Sequence, residues 1–431
     1  MTKLLVIGGG GREHALAWKL AGDSSCPEVF CAPGNAGTAA VATNLDLGAE
    51  DLPAIVEWAR RNRPDLTVVG PEAPLCAGLA DRLLAEGLAV FGPTRDGAEL
   101  EGSKVFSKDV MTAAGVPTAA ARTFDAVEPA LAYVRTHGAP VVVKAEGLAA
   151  GKGVAVCQTV AEAEAAVRAT LVDRAFGEAG RRLVVEDFLR GEEASILALT
   201  DGATIVPLAA SQDHKRIFDG DNGPNTGGMG AYSPAPVVTD ALWPAIRETV
   251  LDPTLRELRR RGITYRGVLY AGLMIDTGRI GVLEFNCRFG DPETQVVLPR
   301  LAGDLLPVLR ACATGGLDAS MVAWKPQACV TVVMASAGYP GAYPKGKVIE
   351  GLDRAAALPD VQVFHAGTRL ENGRVVTAGG RVLNVTASGA TLEAAVARAY
   401  EAVGCIHFEG AQYRRDIAAR ALARAGGSAK G

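Results

Sequence analysis

From Lys3 to Gly92 the chain alternates between strand and helix patterns, and this restricts its N-terminal part to a parallel α/β unit. The apolar run KLLVI is a buried strand, and a run of glycines then opens the helix REHALAWKLA. The strand VFCA ends in the loop PGNAGT. The helix LPAIVEWARR leads to the strand LTVVG and the loop PEAPLC, and the helix GLADRLLAEG leads to the strand LAVFG. In such sheets ligands bind at the loops that leave the strand carboxyl ends.

Near Glu101 the pattern changes. The helix SKVFSKDVMTAAG precedes Pro117, and the stretch PVVVKAEGLAAGKGVAVCQT reads as a glycine-rich hairpin. Helices and strands alternate through AEAEAAVRATLV, RLVVEDFL, EASILALTDG and ATIVPLAAS. A polar, glycine-rich loop is expected from Gln212 to Pro236, longer than loops without function usually are. The helix WPAIRETVLDPTLRELRRRG and the strand pair GVLYAGLMID and GVLEFN follow. Around Pro326 the chain restarts with the strand ACVTVVMAS and stays β-rich, with one late helix, LEAAVARAYEAV, and a tail expected to fray after Arg420.

With 431 residues there is core enough for two to four domains. The net charge of −4 gives no footprint for nucleic acid or an anionic membrane, so an anionic substrate must be held by local groups. The eight cysteines form no CxxC pair and no zinc spacing, and they read as small buried hydrophobes in a reducing compartment. No apolar run approaches the roughly 20 residues of a membrane helix, and the N-terminus has no signal-peptide layout. A cytoplasmic protein is expected.

The segment EFNCRFGDPETQ (284–295) carries the strongest chemistry. If GVLEFN is a strand, Glu284 and Asn286 share a face, and their oxygens suit Mg²⁺ or Mn²⁺ also held by phosphate. Arg288 and Asp291 follow at once. The tip GLAAGKGV is not a Walker loop, because Gly153 stands where Ser or Thr is required and strands flank it on both sides. Such a tip can still fold over a triphosphate, and Lys144, set among buried residues, needs an anionic partner. Glu186, Asp187, Glu192 and Glu193 at a strand end and hinge could hold the polar edges of adenosine. GGGGREHA matches a dinucleotide fingerprint only at Gly8 and Gly10. Glu13 stands at the third glycine, and no acid closes the second strand. Hydride chemistry is thereby disfavoured, although a helix N-terminus here still suits one phosphate.

In this order the segments resemble the ATP-grasp superfamily and, within it, the phosphoribosylamine–glycine ligase family. GGGGREHAL, VGPEAPL, FGPT…EGSK, VKAEGLAAGKGV, DHKRIFDGDNGPNTGGMGAYSP and EFNCRFGDPETQ all carry the likeness, with SAGYPG…KGKVI and HAGT near the end. The resemblance implies an α/β and α+β multidomain fold. Residues 1–101 would form an N-terminal parallel α/β domain, and 102–325 an ATP-grasp region with a small lid at about 120–190. Residues 326–421 would form a C-terminal α+β domain, leaving a disordered tail at 422–431. It further implies a ligase that joins glycine to 5-phosphoribosylamine at the expense of ATP, acting as a monomer with Mg²⁺ or Mn²⁺. The alternatives are another ATP-grasp ligase acting on a phosphoribosyl amine or imidazole and, from a different class, a nicotinamide-dependent oxidoreductase.

Residue by residue, the resemblance sets Lys104 and Lys144 on ATP phosphates, under a cover from Gly147 through Gly151 and Lys152 to Gly153. Glu186 with the backbone of Phe188 and Leu189 would meet adenine, and Glu193 the ribose. Glu284 and Asn286 would hold the metal, and Arg288 would face glycine or its acyl phosphate. Asp213, Lys215, Asp291 and Glu293 are further candidates for glycine and phosphoryl transfer. Gly9, Gly10, Gly11 and Arg12, with Asn35 and Glu72, would hold the sugar phosphate. One departure stands out: ATP-grasp enzymes commonly place a carboxylate about a dozen residues before the Glu-x-Asn pair, and here Gly272, Leu273 and Met274 occupy that region.

Overall fold

The computed structural model describes residues 2–149 and 152–428. Its N-terminal sheet is parallel, with Lys3–Gly8 at the centre between Glu28–Pro33 and Leu66–Val69, and Thr43–Asn44 and Val90–Phe91 outermost. Leu4, Leu5, Val6 and Ile7 are all fully buried, as a strand covered on both faces requires. The segment PEAPLC, expected as a loop, forms the short helix Glu72–Cys76 behind Pro71, a residue that suits the entry to a helix.

Ser103 caps the helix Lys104–Ala114 by accepting from Phe106 N–H at 3.1 Å. Beyond it lies a small antiparallel sheet ordered Ala121–Phe124, Leu183–Asp187, Val141–Ala145, Val154–Cys157, backed by the helices Val127–His137 and Val160–Leu171. Leu131, Val134, Val143, Val167 and Val185 give it a core of its own. A second antiparallel sheet runs Ile205–Pro207, Glu192–Thr200, Gly267–Asp276, Arg279–Asn286.

The expected loop from Gln212 to Pro236 is largely structured. Gln212–Asp213 and Gly230–Ser233 join Ala328–Ala335, Arg381–Gly389 and Val361–His365 in one five-stranded sheet. Between them Arg216–Phe218 and Asn222–Asn225 pair as a hairpin. The fully buried Arg414 anchors it, donating to Arg216 O at 3.1 Å and to Asp221 Oδ1 at 2.7 Å. The tail after Arg420, expected to fray, is helical over Ala419–Ser428, and Arg424 pairs with Glu192. No helix among the described residues is long and apolar enough to cross a membrane.

Candidate active site

A cleft of about 580 Å³ opens between the two antiparallel sheets. The small sheet supplies Val142, Lys144, Val154, Val156 and Glu186, and the larger supplies Glu193, Tyr270, Met274 and Leu283 to Asn286. The cleft continues past Arg288 to Arg12, Glu72, Asp291 and Arg381, so all three regions of the chain meet in it.

Glu284 and Asn286 come from the same strand and both line the cleft. The Glu284 carboxylate has no hydrogen bond or ion pair among the described residues, whereas Asn286 Oδ1 accepts from Arg288 Nη2 at 3.1 Å. Burial works to raise the Glu284 pKa, but Lys215, Lys144, Lys104 and Arg288 pull it below the usual carboxylate value. Gly272 pairs with Glu284 across the strands beside a bulge. The described residues hold no cluster of three or more His, Cys, Asp or Glu fit for a metal. A partnerless carboxylate beside an amide oxygen therefore suits one hard cation completed by substrate oxygens, not a protein-built cage.

The lysines expected at ATP phosphates line the same cleft as Glu284, and the charge of each acts on it. Lys144 Nζ lies 2.8 Å from Glu186 Oε2 and donates to Leu283 O at 2.9 Å. Lys108, which sequence reasoning missed, lies 3.3 Å from Glu186 Oε1 and donates to Thr118 Oγ1 at 2.7 Å. Glu186 is thus the anionic partner that Lys144 requires, shared with Lys108. Lys104 donates to Gly147 O at 3.0 Å, and burial lowers its pKa against the pull of Glu284. Gly153, Phe188 and Leu189 line the cleft; Gly147 and Lys152 are not among its lining residues, and Gly151 lies outside the described residues.

Arg288 is clamped. Its Nε donates to Glu72 Oε2 at 3.1 Å and its Nη2 to Glu101 Oε1 at 2.8 Å. Burial alone would lower its pKa, yet Glu101 and Glu72 hold it well above the ordinary value. Glu101 also accepts from Cys287 N–H at 2.8 Å, which fixes the backbone between Asn286 and Arg288. Sequence reasoning missed this role: Glu101 stands there only as the point where the pattern changes.

Asp213, Lys215, Glu193 and Glu293 form one further group. Lys215 Nζ lies 3.3 Å from Asp213 Oδ2 and 4.0 Å from Glu193 Oε2. Burial raises the Asp213 pKa against the opposing charge of Lys215. Glu293 accepts from Tyr270 OH at 2.7 Å and Ser195 Oγ at 3.0 Å, and burial with Asp213 nearby raises its pKa too.

The first glycine run differs from expectation. Gly9, Gly10, Gly11 and Asn35 do not line the cleft among the described residues; Arg12 and Glu72 do. The Asn35 amide is fully engaged, donating to Gly9 O at 3.0 Å and His365 O at 2.8 Å and accepting from Gly37 and Thr38 N–H. Its part is to join the N- and C-terminal regions. Arg381, also missed, reaches the cleft from the C-terminal sheet.

Family models of phosphoribosylglycinamide synthetase match the chain in three parts: the N domain over residues 2–101, the ATP-grasp (A) domain over 102–294 and the C domain over 329–420. It is 53% identical over 425 residues to a phosphoribosylamine–glycine ligase of Vibrio cholerae, covering 98% of this chain and 99% of that one. Identity to the ligase of Pseudomonas aeruginosa is 54% over 424 residues, covering 98% of each. The crystal structure of a phosphoribosylamine–glycine ligase from Thermotoga maritima superposes with a TM-score of 0.83 at 35% identity, covering 96% of this chain and all of that one. A biotin carboxylase from Campylobacter jejuni shares the fold at a TM-score of 0.73 and 15% identity, covering 96% of this chain and 93% of that one. The cleft between two antiparallel sheets, the three matched domains and the full-length relatives lead to one conclusion: the chain belongs to the phosphoribosylamine–glycine ligase family.

Proposed function

We propose that the chain joins glycine to 5-phosphoribosylamine through a glycyl phosphate, giving glycinamide ribonucleotide, ADP and phosphate, an early step of purine synthesis. The observation that carries this reading is the partnerless Glu284 carboxylate, set among four cations in the cleft between the sheets. Glu284 and Asn286 would hold Mg²⁺ or Mn²⁺, which neutralises phosphate charge during transfer.

The chain's own groups have separate tasks. Lys104 and Lys144 take the ATP phosphates beneath the tip that runs from Gly147 to Gly153. Glu186, Phe188 and Leu189 border adenine, and Glu193 the ribose. Arg288, already fixed by Glu72 and Glu101, keeps one Nη1 hydrogen for the glycine carboxylate and loses little rotamer freedom in using it. A carboxylate resists amine attack until phosphorylation gives it a leaving group. The phosphoribosylamine nitrogen then attacks the acyl carbon and phosphate departs. Asp213, raised by burial, suits the amine proton better than Asp291, which Arg381 and Arg12 hold low against burial. A mixed anhydride hydrolyses readily, so closure of residues 120–190 over the cleft has a use. We take the enzyme to act as a cytoplasmic monomer on these small molecules, without nucleic acid or membrane.

Mass spectrometry of a reaction with ATP, glycine and freshly generated phosphoribosylamine tests the reading. Glycinamide ribonucleotide is expected, and its absence refutes the assignment. Arg288→Ala should lower glycine-dependent turnover by about 10²–10³ while an ATP analogue still binds; unchanged turnover removes Arg288 from the site.

A further inference from the structure

The turn after the first strand already contains an anion, and it belongs to the chain. Cβ atoms at Gly8, Gly10 and Gly70 would each overlap the Glu13 side chain, so three bare positions make the pocket where its carboxylate lies. Glu13 accepts from Gly10 N–H at 2.6 Å and from Arg12 Nε at 2.5 Å. Asp291 Oδ2 accepts from Arg12 N–H at 3.4 Å. Two carboxylates thus engage two of the donors that open the helix Gly11–Ala21, those of Gly10 and Arg12, and the Glu13 carboxylate takes the place an anion would hold at the turn.

Cationic donors remain one layer further out. Arg12 is 7% exposed, gives Nε to Glu13 and Nη1 to Phe289 O at 2.9 Å, and its Nη2 has no partner among the described residues. Arg381 gives Nη1 to Gly227 O at 2.6 Å and Asp291 O at 2.8 Å, with Gly228 O and Asp291 Oδ1 each at 3.4 Å. Its Nε and Nη2 have no partner among the described residues. Gly227 packs closely on this group, since a Cβ there would meet Arg381 Cζ at 3.0 Å. Asp291 meets the Arg381 guanidinium and the Arg12 backbone N–H, and both arginines line the cleft that holds Glu284. Arginines held at one edge and open at the other present the donor fork that suits a phosphate.

We propose that Arg12 and Arg381, from the N- and C-terminal regions, together receive the phosphate monoester of the sugar substrate, and that the glycine turn does not. This rests on the reading above that the acceptor is 5-phosphoribosylamine. The phosphate then ties the two regions together, and the amine end of the sugar extends toward Arg288 and Glu284.

Steady-state kinetics of the full chain test it, with ribose 5-phosphate and ribose as non-reacting probes. The wild type should be inhibited by ribose 5-phosphate at concentrations where ribose has no effect. Arg381→Gln should raise both KM for phosphoribosylamine and the inhibition constant of ribose 5-phosphate about 10- to 100-fold, with KM for ATP and glycine within about threefold. Arg381→Lys should recover part of that loss, and it decides the matter if the glutamine variant does not bind an ATP analogue. An unchanged KM for phosphoribosylamine overturns the proposal, as does an equal rise for all three substrates. A wild type that makes no glycinamide ribonucleotide is a different result, the failure of the parent reading.

Discussion

Glu101 Oε1 lies 2.8 Å from Arg288 Nη2, joining the last helix of the N-terminal region to the strand end that carries Glu284 and Asn286. The same carboxylate holds the Cys287 N–H through Oε2. One buried side chain therefore sets both the guanidinium and the backbone beside it.

Glu101→Gln keeps the volume and one acceptor but removes the charge. Arg288 retains Glu72, so the expected cost is about 1–3 kcal/mol, less than for a buried cation left alone. Turnover should fall about 10- to 100-fold, because a loosened Arg288 disturbs Asn286 through their 3.1 Å hydrogen bond. Urea denaturation and steady-state kinetics measure both; a stable variant with full activity would show the clamp to be incidental.

Metal dependence should be conditional. Glu284 is surrounded by Lys215, Lys144, Lys104 and Arg288, so an isolated divalent ion meets repulsion there. Mg²⁺ alone is expected to leave Tm within about 1 °C, whereas Mg²⁺ with a non-hydrolysable ATP analogue should raise it by about 3 °C or more. Chelation should abolish turnover without unfolding the chain. A large Tm increase with Mg²⁺ alone would point to a complete protein-built site instead.

The parts legible in the sequence were those fixed by short-range periodicity. Glu284 and Asn286 follow from the period of two, and Lys144 stands out as a charge within VVVKAE. The remainder depends on distant pairings. Gly230–Ser233 looks like loop because its strand is short and its partner, Cys329 to Val332, is far along the chain. Arg381 and Asn384 would face opposite sides of a regular strand. A bulge aligns Arg381 with Ala335 and Asn384 with Val333, so they share a face. Asn35 enters as a sugar-phosphate residue through the family resemblance; only the neighbouring C-terminal region reveals that its amide is already used.

Acid should loosen the join between the N- and C-terminal regions. His14 Nδ1 accepts from His365 N–H at 2.8 Å, and Phe364 packs edge-on against the His14 ring. Burial, with His365 adding to it, lowers the His14 pKa from 6.5 to about 3, and burial lowers that of His365 to about 4. Below pH 6.5 the unfolded chain takes up protons that the folded chain refuses. Their stabilisation is therefore complete above about pH 6.5 and is lost as the pH falls toward 4, at about 1.4 kcal/mol per pH unit for each ring. His14→Asn, which keeps an acceptor, should remove about half of that slope in urea titrations between pH 7 and 5. An unchanged slope would assign the acid sensitivity elsewhere.

The Glu13 pocket makes a sharper prediction, because its walls are glycines. A Cβ at Gly70 would overlap Glu13 Oε1, so Gly70→Ala must expel that carboxylate from the turn. The expected cost is about 1–3 kcal/mol from overpacking. Loss of the 2.5 Å contact to Arg12 should also raise KM for phosphoribosylamine more than KM for ATP. Glu13→Ala empties the same space, so adding Gly70→Ala to it should cost little. The double-mutant cycle should show a coupling of at least about 1 kcal/mol. Additive effects would mean that the three glycines are bare for another reason. The double variant should still fail to bind NAD, since CAPGN offers no acid at the end of the second strand to take a ribose hydroxyl.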